Sequence, residues 1–316
     1  MDGRKAGRQT VIFPDEDLKR KRRKKRDMKI YLDGKLVDEK DAVISVFDHG
    51  LLYGDGVFEG TRIYDGTISF LEEHVDRLFD SAKVIALNIG MTKEELIQAT
   101  VDTCKANGLE NGYIRHVVTR GSGTLGLNPY LCKKASVIII AADIQLYPAE
   151  LYENGMKIIT AGTMRNMPEA VNPRVKSLNY LNNVMAKIEA INAGVMECLM
   201  LNPQGYVAEA SGDNVFVVKG NKLMTPPTWC GALEGITRDK VMTLAREQGM
   251  DVVESVMTRY EIWTADEVFL TGTAAEVIAV VELDKRTIGD GTPGPITKKL
   301  IEAYRKLVSV DGVPVE

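Results

Sequence analysis

The first half of the chain is a series of short apolar runs separated by turn residues. Residues 30–32 and 35–37 flank Asp33-Gly34, a pair that favours a tight turn between antiparallel strands. The apolar run 43–46 predicts a further extended segment. A glycine-rich loop is predicted at 49–56, and three more strands are predicted at 57–64, 113–118 and 136–141. This half is therefore predicted to hold a sheet whose strands are mostly joined by hairpins.

Helical patterns lie between these strands. From residue 72 to residue 85 the apolar side chains recur three or four positions apart, at Val75, Leu78, Phe79, Ala82 and Ile85. Thr92 is followed three residues later by Glu95, which is the signature of a capping box and predicts that a second helix begins there. We therefore predict an α+β domain over residues 28–147.

The second half has the same mixture of patterns. Apolar runs predict strands at 156–160, 198–201, 215–218 and 267–270. Helices are predicted at 236–247 and 296–308. We predict a second, larger domain over residues 148–316.

Lys176 lies where an extended segment is predicted to become a helix. The helix is indicated by apolar residues three or four apart, at Leu178, Leu181, Met185, Ile188 and Ile191. A lysine at the mouth of such a segment is partly desolvated, which favours the neutral amine, and a neutral amine can attack a carbonyl to form a Schiff base. On this stretch alone, a surface lysine is the simpler interpretation.

Composition excludes several classes of protein. The chain has 316 residues, of which 45% are hydrophobic and 27% charged, as in an ordinary globular protein. No run of eighteen apolar residues predicts a membrane span, and the N-terminal segment lacks the apolar stretch of a secretory signal. The four cysteines are widely spaced, which favours a reduced, cytoplasmic protein. The three histidines lack metal-ligand spacing, so no metal site is predicted.

Charge is distributed unevenly along the chain. Residues 1–27 contain eleven Lys and Arg against five Asp and Glu, a net charge of +6, so the remainder carries −10 of the total of −4. The basic run 19–26 has no apolar face, and we predict that residues 1–27 form a disordered extension. A solvated extension, or a true start at Met28, explains this better than a nucleic-acid-binding arm, because the body is acidic.

Two glycine-threonine sites begin predicted helices or turns in the second half, at 235–237 and 272–273. Free backbone N–H groups there bind anions, and a threonine hydroxyl adds a donor. Each site alone could be an ordinary cap, but two in one domain, without a nucleotide-binding lysine pattern, suggest one bound phosphate. The Arg77 guanidinium could add charge-assisted hydrogen bonds to that phosphate, although an exposed helix arginine is the commoner case.

Glu209 lies among small residues just past a strand-like stretch. A solvated loop carboxylate is the simpler interpretation. Such a carboxylate could instead hold a proton on a ring nitrogen by its opposite charge. Together with a Schiff-base lysine and a phosphate site, it would describe a pyridoxal-phosphate site.

Seven ordered blocks carry a family resemblance from Met28 onward. They are 53–60 (YGDGVFEG), 73–78 (EHVDRL), 113–115 (YIR), 176–180 (KSLNY), 209–214 (EASGDN), 233–238 (LEGITR) and 272–276 (GTAAE). The chain resembles the class IV aminotransferases, and most of all the branched-chain amino acid aminotransferases. The resemblance implies a two-domain, mixed α/β fold-type IV pyridoxal-phosphate enzyme with the D-amino acid aminotransferase-like fold.

The resemblance also implies roles for individual residues. Lys176 would form the Schiff base with pyridoxal 5′-phosphate and move the proton, and Glu209 would keep the pyridine nitrogen protonated. Tyr180 would bind the phenolic oxygen, and Leu233 would pack against the ring. The phosphate would be held by Arg77, Ile236, Thr237 and Thr273. The substrate would be bound by Tyr53, Phe58, Tyr113, Arg115 and the backbone of Ala274 and Ala275.

The expected reaction is a ping-pong transamination between leucine, isoleucine or valine and 2-oxoglutarate, in branched-chain amino acid biosynthesis. Aromatic walls suit the aliphatic side chains, and Arg115 suits the second carboxylate of glutamate. The loop 121–129 lacks the arginine-histidine pair of D-amino acid aminotransferases. That activity, aminodeoxychorismate lyase and a non-catalytic binding protein with a basic arm remain the alternatives. His116 stands where branched-chain enzymes often have proline or an aliphatic residue.

The resemblance further implies small-molecule partners, namely amino acids and 2-oxo acids. It implies a homodimer or higher homo-oligomer whose pocket includes part of the neighbouring subunit, with the loop around Leu127 as a candidate. No membrane partner is predicted.

Overall fold

The computed structural model describes residues 28–144 and 147–315. The predicted basic extension, residues 1–27, lies outside the described residues. The strands in chain order are β1 Lys29–Leu32, β2 Lys35–Asp38, β3 Gly56–Tyr64, β4 Thr67–Ser69, β5 Gly112–Thr119, β6 Ser136–Ala142, β7 Met156–Thr160, β8 Glu197–Leu201, β9 Val207–Ala210, β10 Asn214–Lys219, β11 Lys222–Thr225, β12 Asp251–Glu254, β13 Glu267–Gly272, β14 Glu276–Leu283, β15 Arg286–Thr287 and β16 Gly312–Pro314. The helices are α1 His49–Tyr53, α2 Leu71–Val84, α3 Lys93–Asn107, α4 Ala149–Asn154, α5 Leu181–Asn192, α6 Ile236–Glu247, α7 Arg259–Trp263 and α8 Pro295–Val308.

The first sheet is antiparallel throughout, with the strand order β16-β4-β3-β5-β6-β1-β2. The hairpin predicted at β1 and β2 is confirmed. Its turn residues Asp33 and Gly34 have φ angles of 50° and 93°, and two positive φ angles are what a tight two-residue hairpin turn requires.

Helices α2 and α3 cover one face of this sheet. Their inward side chains, such as Leu78 and Leu96, are fully buried against Ile63, Ile114 and Ile139 of the strands. The capping box predicted for α3 is confirmed. The Thr92 hydroxyl accepts from the N–H of Glu95, and the Glu95 carboxylate accepts from the N–H of Thr92.

The second sheet is mixed, with the order β12-β11-β10-β13-β14-β7-β8-β9 and with β15 paired to β14. Three of its pairings are parallel, namely β11 with β12, β14 with β7, and β7 with β8. The phenyl rings of Phe216 and Phe269, from β10 and β13, stack with centroids 5.0 Å apart in the core beneath α6 and α8. A mixed α/β architecture was predicted, and it is confirmed.

Two expectations for residues 43–56 were wrong. The apolar run 43–46 does not form a strand, and Val43 and Val46 are 72% and 70% exposed, because no neighbouring strand offers them a pairing edge among the described residues. The glycine-rich loop contains the short helix α1. The Asp48 side chain accepts from the N–H of Gly50 and thereby caps the helix start.

The end of the chain returns to the first sheet. After α8, strand β16 pairs with β4, so that residues from both ends of the chain share one sheet. The other strands of the two sheets lie on opposite sides of residue 147 in the sequence. The division into domains at that residue stays a prediction. No helix in the described residues is long and apolar enough to cross a membrane.

Replacing Thr92 by alanine should lower the free energy of unfolding by about 1 kcal/mol, because α3 loses the acceptor for an N–H of its first turn. Thr92→Ser keeps the hydroxyl and should retain most of the stability. Urea denaturation of the three proteins measures the effect, and equal midpoints for all three would contradict it.

Candidate active site

The segment around Lys176 is held against β3 by backbone hydrogen bonds. The N–H of Phe58 donates to the carbonyl of Lys176 at 2.9 Å, and the N–H of Leu178 donates to the carbonyl of Gly56 at 2.9 Å. The chain is extended here, as predicted, and turns into α5 at Leu181. This pairing places Lys176 between the two sheets.

The amine of Lys176 faces an aromatic surface. Its Nζ lies 3.4 Å from Tyr180 Oη and 4.9 Å from the centre of the Phe58 ring. No carboxylate in the described ranges forms an ion pair with it. The amine is half-buried and free of a charged partner, so it is available to a ligand in the adjoining space.

A cavity adjoins Lys176 and is lined mostly by polar and charged residues. All eight residues predicted to hold the cofactor line this cavity. They are Arg77, Lys176, Tyr180, Glu209, Leu233, Ile236, Thr237 and Thr273.

One end of the cavity is suited to an anion. Helix α6 begins there at Ile236, and its N-cap residue Gly235 has no side chain that could satisfy the first N–H groups. Arg77 reaches the same end and donates from Nη1 to the carbonyl of Glu234 at 2.7 Å. The buried Thr271 hydroxyl, also in the lining, has no hydrogen-bond partner in the described part of the chain. These unused donors fit a phosphate group.

The wall of the same cavity also holds the Glu209 carboxylate, which is only 5% exposed. Its Oε1 lies 2.7 Å from Arg165 Nη2. Its Oε2 accepts from the N–H of Leu233 at 2.8 Å and from Asn214 Nδ2 at 3.2 Å. These three contacts hold the carboxylate in a fixed position in the cavity wall.

Arg165 was missed by the sequence analysis. It lies in the loop after β7, and its Nη1 donates to Asn183 Oδ1 at 2.9 Å while its Nε donates to the carbonyl of Gly231 at 3.1 Å. The sequence around it has no distinctive pattern, so only its spatial position beside Glu209 reveals a role.

A second, more open cavity of about 310 Å³ continues from the first. The two share Lys176, Tyr180, Asn183, Ser211, Gly212, Asp213 and Thr273. The second is lined in addition by Phe58, Tyr113, Arg115, Tyr147, Val184 and Ala274 among others. Four of the residues predicted to bind substrate are therefore brought together here, namely Phe58, Tyr113, Arg115 and Ala274.

The Arg115 guanidinium lies between two aromatic rings in this second cavity. It is 4.7 Å from the centre of the Phe58 ring and 5.2 Å from that of Tyr113. No carboxylate pairs with it in the part of the chain that the structure describes. Gly60 makes room for this arrangement, since a Cβ there would lie 1.8 Å from Tyr113 Oη.

The remaining predicted substrate residues are placed differently. Ala275 is buried beside Ala274, and the Ala274 carbonyl accepts from Arg62 Nη1 at 3.3 Å, which restrains this turn of the backbone. Tyr53 lies in α1 and does not line either cavity of its own chain. Its hydroxyl donates to the carbonyl of Leu125, next to the loop around Leu127.

His116 faces away from the substrate cavity. Successive residues of a strand point to opposite faces, so Arg115 lies on the cavity side of β5 and His116 on the helix side. The His116 ring is buried, and its Nε2 lies 2.9 Å from Thr100 Oγ1 of α3. Burial lowers the pKa of His116 to about 4, so the ring is neutral at pH 7.

Two buried carboxylates lie in the wall of the second cavity, Asp213 and Glu197. The Tyr147 hydroxyl is 3.2 Å from Asp213 Oδ2 and 3.4 Å from Glu197 Oε2, and Lys187 Nζ is 3.0 Å from Glu197 Oε2. Burial, and then the charge of Glu197, raise the pKa of Asp213 to about 7. The sequence analysis did not single out these residues as a cluster.

Comparison with known families shows which family the chain belongs to. The amino-transferase class IV family matches residues 56–283, and the chain belongs to that family. A protein of Methanocaldococcus jannaschii, whose name gives branched-chain-amino-acid aminotransferase as a provisional activity, is 52% identical over 288 residues, which cover 91% of this chain and 99% of that protein.

Two further relatives lie within the same group. The branched-chain-amino-acid aminotransferase of Pseudomonas aeruginosa is 44% identical over 290 residues, covering 90% of this chain and 94% of the relative. The crystal structure of the branched-chain amino acid aminotransferase from Thermobaculum terrenum, in its pyridoxal-phosphate holo-form, superposes with a TM-score of 0.81 at 32% identity, covering 90% of this chain and 94% of that one. The predicted family and fold type are therefore confirmed.

Replacing Asp213 by asparagine should stabilise the protein above pH 7 and have little effect near pH 4. The pKa of this carboxyl is about 7 in the folded protein and 3.8 ordinarily, so the folded state holds a proton that the unfolded chain has released. The unfolding free energy of the native protein therefore falls as the pH rises from about 4 to 7, by an amount on the order of a few kcal/mol. Melting temperatures of both proteins between pH 4.5 and 8 measure this, and a pH-independent difference would contradict it.

Proposed function

We propose that this aminotransferase transfers amino groups between L-branched-chain amino acids and 2-oxoglutarate, using pyridoxal 5′-phosphate. The observation that carries the proposal is the position of Lys176 at the junction of two cavities. One cavity has an end suited to an anion and a buried carboxylate in its wall. The other has aromatic walls and a guanidinium without a carboxylate partner among the described residues.

The donor set of the first cavity fits this cofactor. The first N–H groups of α6, Arg77 and the threonine hydroxyls would hold the phosphate, and Glu209 would lie at the pyridine nitrogen. The Leu233 side chain would contact the ring face. When bound, the cofactor supplies an electron-withdrawing ring that stabilises negative charge at the substrate Cα.

Lys176 would bind the cofactor and then serve as the group that moves the proton. Its Nζ already lies within 3.4 Å of Tyr180 Oη, so the tyrosine hydroxyl can orient the amine. The Phe58 and Tyr180 rings, which lie edge to face 4.8 Å apart, both adjoin the amine and limit the directions from which a ligand can reach it.

The second cavity can accept two kinds of side chain in turn. The aromatic walls of Phe58 and Tyr113 suit leucine, isoleucine and valine. The Arg115 fork suits the second carboxylate of glutamate and 2-oxoglutarate, because a planar guanidinium binds a carboxylate with two hydrogen bonds. Two substrates that share one pocket must bind one after the other, which supports a ping-pong mechanism in branched-chain amino acid biosynthesis.

The alternatives have less support. The loop 121–129 lacks the arginine-histidine pair expected of D-amino acid aminotransferases. No feature of the second cavity favours aminodeoxychorismate as a substrate. A non-catalytic role through the basic arm has no structural support, since residues 1–27 lie outside the described residues.

We also propose that the chain acts as a homodimer or a higher homo-oligomer. The apolar residues that predicted α5 face outward, and Leu181 and Ile191 are 71% and 61% exposed. A second exposed apolar region surrounds α1 and includes Leu51, Leu125 and Leu127. A neighbouring copy that covered these surfaces would remove them from water and could bring Tyr53 or the Leu127 loop to a pocket.

A cytoplasmic location is proposed from the cysteines. All four are free, and three of them, Cys104, Cys198 and Cys230, are buried, whereas Cys132 is partly exposed. Free thiols are typical of a reducing compartment.

The first test is the visible absorption spectrum of the purified protein with and without L-leucine, in the absence of a 2-oxo acid. The proposal predicts an absorption band of bound cofactor that bleaches on addition of L-leucine and is unaffected by D-leucine. Lys176→Ala should show no turnover. A band that does not respond to L-leucine would reject the proposed substrate, and full activity of Lys176→Ala would reject the proposed site.

Replacing Arg115 by glutamine should lower kcat/KM for 2-oxoglutarate by about tenfold to a hundredfold, because the carboxylate loses a charge-assisted pair. Turnover of 4-methyl-2-oxopentanoate should change by less than about threefold, since its side chain makes no such pair. Lys187→Gln is the matched control, because Lys187 lines the same cavity but is already paired with Glu197. An equal loss for both 2-oxo acids in Arg115→Gln would contradict the assignment.

A further inference from the structure

The buried carboxylate of Glu59 lies behind the anion-binding end of the first cavity. It is only 1% exposed and belongs to β3, next to Phe58 but on the opposite face of the strand. It does not line either cavity, and neither the family resemblance nor the pattern of the chain gives it a role.

Four donors converge on this carboxylate. Arg77 Nε donates to Oε1 at 2.6 Å and Nη2 donates to Oε2 at 2.9 Å, which is a two-pronged pairing. Oε2 also accepts from His74 Nδ1 at 2.7 Å and from the N–H of Gly60 at 3.2 Å. Burial alone would raise the pKa of Glu59, but the charges and hydrogen bonds of Arg77 and His74 outweigh it, and the pKa lies well below its usual range.

This pairing fixes the plane of the Arg77 guanidinium. Arginine has five N–H donors, and the bonds to Glu59 and to the carbonyl of Glu234 use three of them in the described part of the chain. Two N–H donors of Arg77 are left, one on Nη1 and one on Nη2. They lie on the edge of the guanidinium that can face the cavity. A planar fork whose rotation is blocked loses less entropy when it binds a phosphate.

The same carboxylate reaches a second predicted phosphate ligand through His74. The imidazole Nδ1 carries the proton that it donates to Glu59, and Nε2 lies 3.4 Å from Thr273 Oγ1. His74 and Arg77 are three residues apart in α2, so both lie on the helix face that meets β3. His74 therefore limits where the Thr273 hydroxyl can lie.

We propose that Glu59 is a positioning residue for the cofactor phosphate, acting directly on Arg77 and through His74 on Thr273. The proposal rests on the proposed cofactor site. The negative charge of Glu59 offsets the positive charge of Arg77, so the net charge of the pair adds little to phosphate affinity. The proposal is that the orientation of the Arg77 N–H donors sets that affinity.

Two substitutions separate geometry from charge. Glu59→Gln removes the charge and turns an amide donor toward the donors of Arg77 or His74. Glu59→Asp keeps the charge but is one methylene shorter, so the two-pronged pairing cannot form from the same backbone position. Glu73→Gln is the matched control, because Glu73 lies in the same helix as Arg77 but pairs with Lys240 at 2.8 Å, outside both cavities.

The test compares ligands with and without a phosphate. Full-length protein freed of cofactor is titrated with pyridoxal 5′-phosphate, pyridoxal and inorganic phosphate, and dissociation constants are measured by calorimetry or absorbance. Glu59→Gln and Glu59→Asp should each bind pyridoxal 5′-phosphate and inorganic phosphate at least about tenfold more weakly than the native chain. Their affinity for pyridoxal, and all affinities of Glu73→Gln, should stay within about twofold.

Several outcomes would overturn the proposal. An equal loss for pyridoxal and its phosphate would indicate general damage to the fold. Tighter phosphate binding by Glu59→Gln would show that Glu59 weakens the site through its charge. Native-like binding by Glu59→Asp would show that the geometry of the pairing is unimportant. If the native chain itself bound no pyridoxal 5′-phosphate, the proposed cofactor would fail first, which is a result distinct from these.

Discussion

The backbone pairing between β3 and the segment around Lys176 is the constraint on which the site depends. The segment leads into α5, which packs on β8 of the second sheet, whereas β3 belongs to the first sheet. The hydrogen bonds from Phe58 and Leu178 therefore tie the two sheets together at the lysine. A shift in this register would move the amine relative to both cavities, because adjacent residues of an extended chain point to opposite sides.

Strand β3 serves the two cavities from its two faces. Phe58 faces the substrate side, where its ring contacts Arg115 and the amine of Lys176. Glu59 faces α2, where it holds Arg77 and His74. Neighbouring residues of one strand thus contribute to two ligand subsites, and the period of two along the strand is the physical reason.

Two buried arginine–glutamate pairs adjoin the first cavity, Arg77 with Glu59 and Arg165 with Glu209. Removing two charges from water costs about as much as their attraction returns, so such pairs contribute little to stability. Their effect here is to orient the side chains that line the cavity. The first leaves two N–H donors of Arg77 free for an anion, and the second fixes the Glu209 carboxylate in the cavity wall.

Patterns that act over a few residues were predicted well from the sequence. The Asp33-Gly34 turn, the capping box of Thr92 and Glu95 and most strands follow from neighbouring side chains, and the structure has them. The family blocks also named eight of the residues that line the first cavity. Those residues are widely separated in the chain. Their grouping in one site was therefore predicted from the family resemblance and not from their spacing in the sequence.

The rest was decided by tertiary packing. Arg165 and Tyr147 stand in stretches without a distinctive pattern, and Glu59 lies in block 53–60 without an assigned role. The roles of all three depend on which carboxylate, ring or helix packs beside them. Burial is not determined by the apolar pattern alone. The run 43–46 and the outward face of α5 are apolar but exposed, because an apolar residue is buried only where the fold brings a partner to it. The sequence by itself determined many of the elements and the family, through local geometry and ordered blocks. Only the tertiary structure decided the orientation of each charge, because burial and pairing depend on residues far apart in the chain.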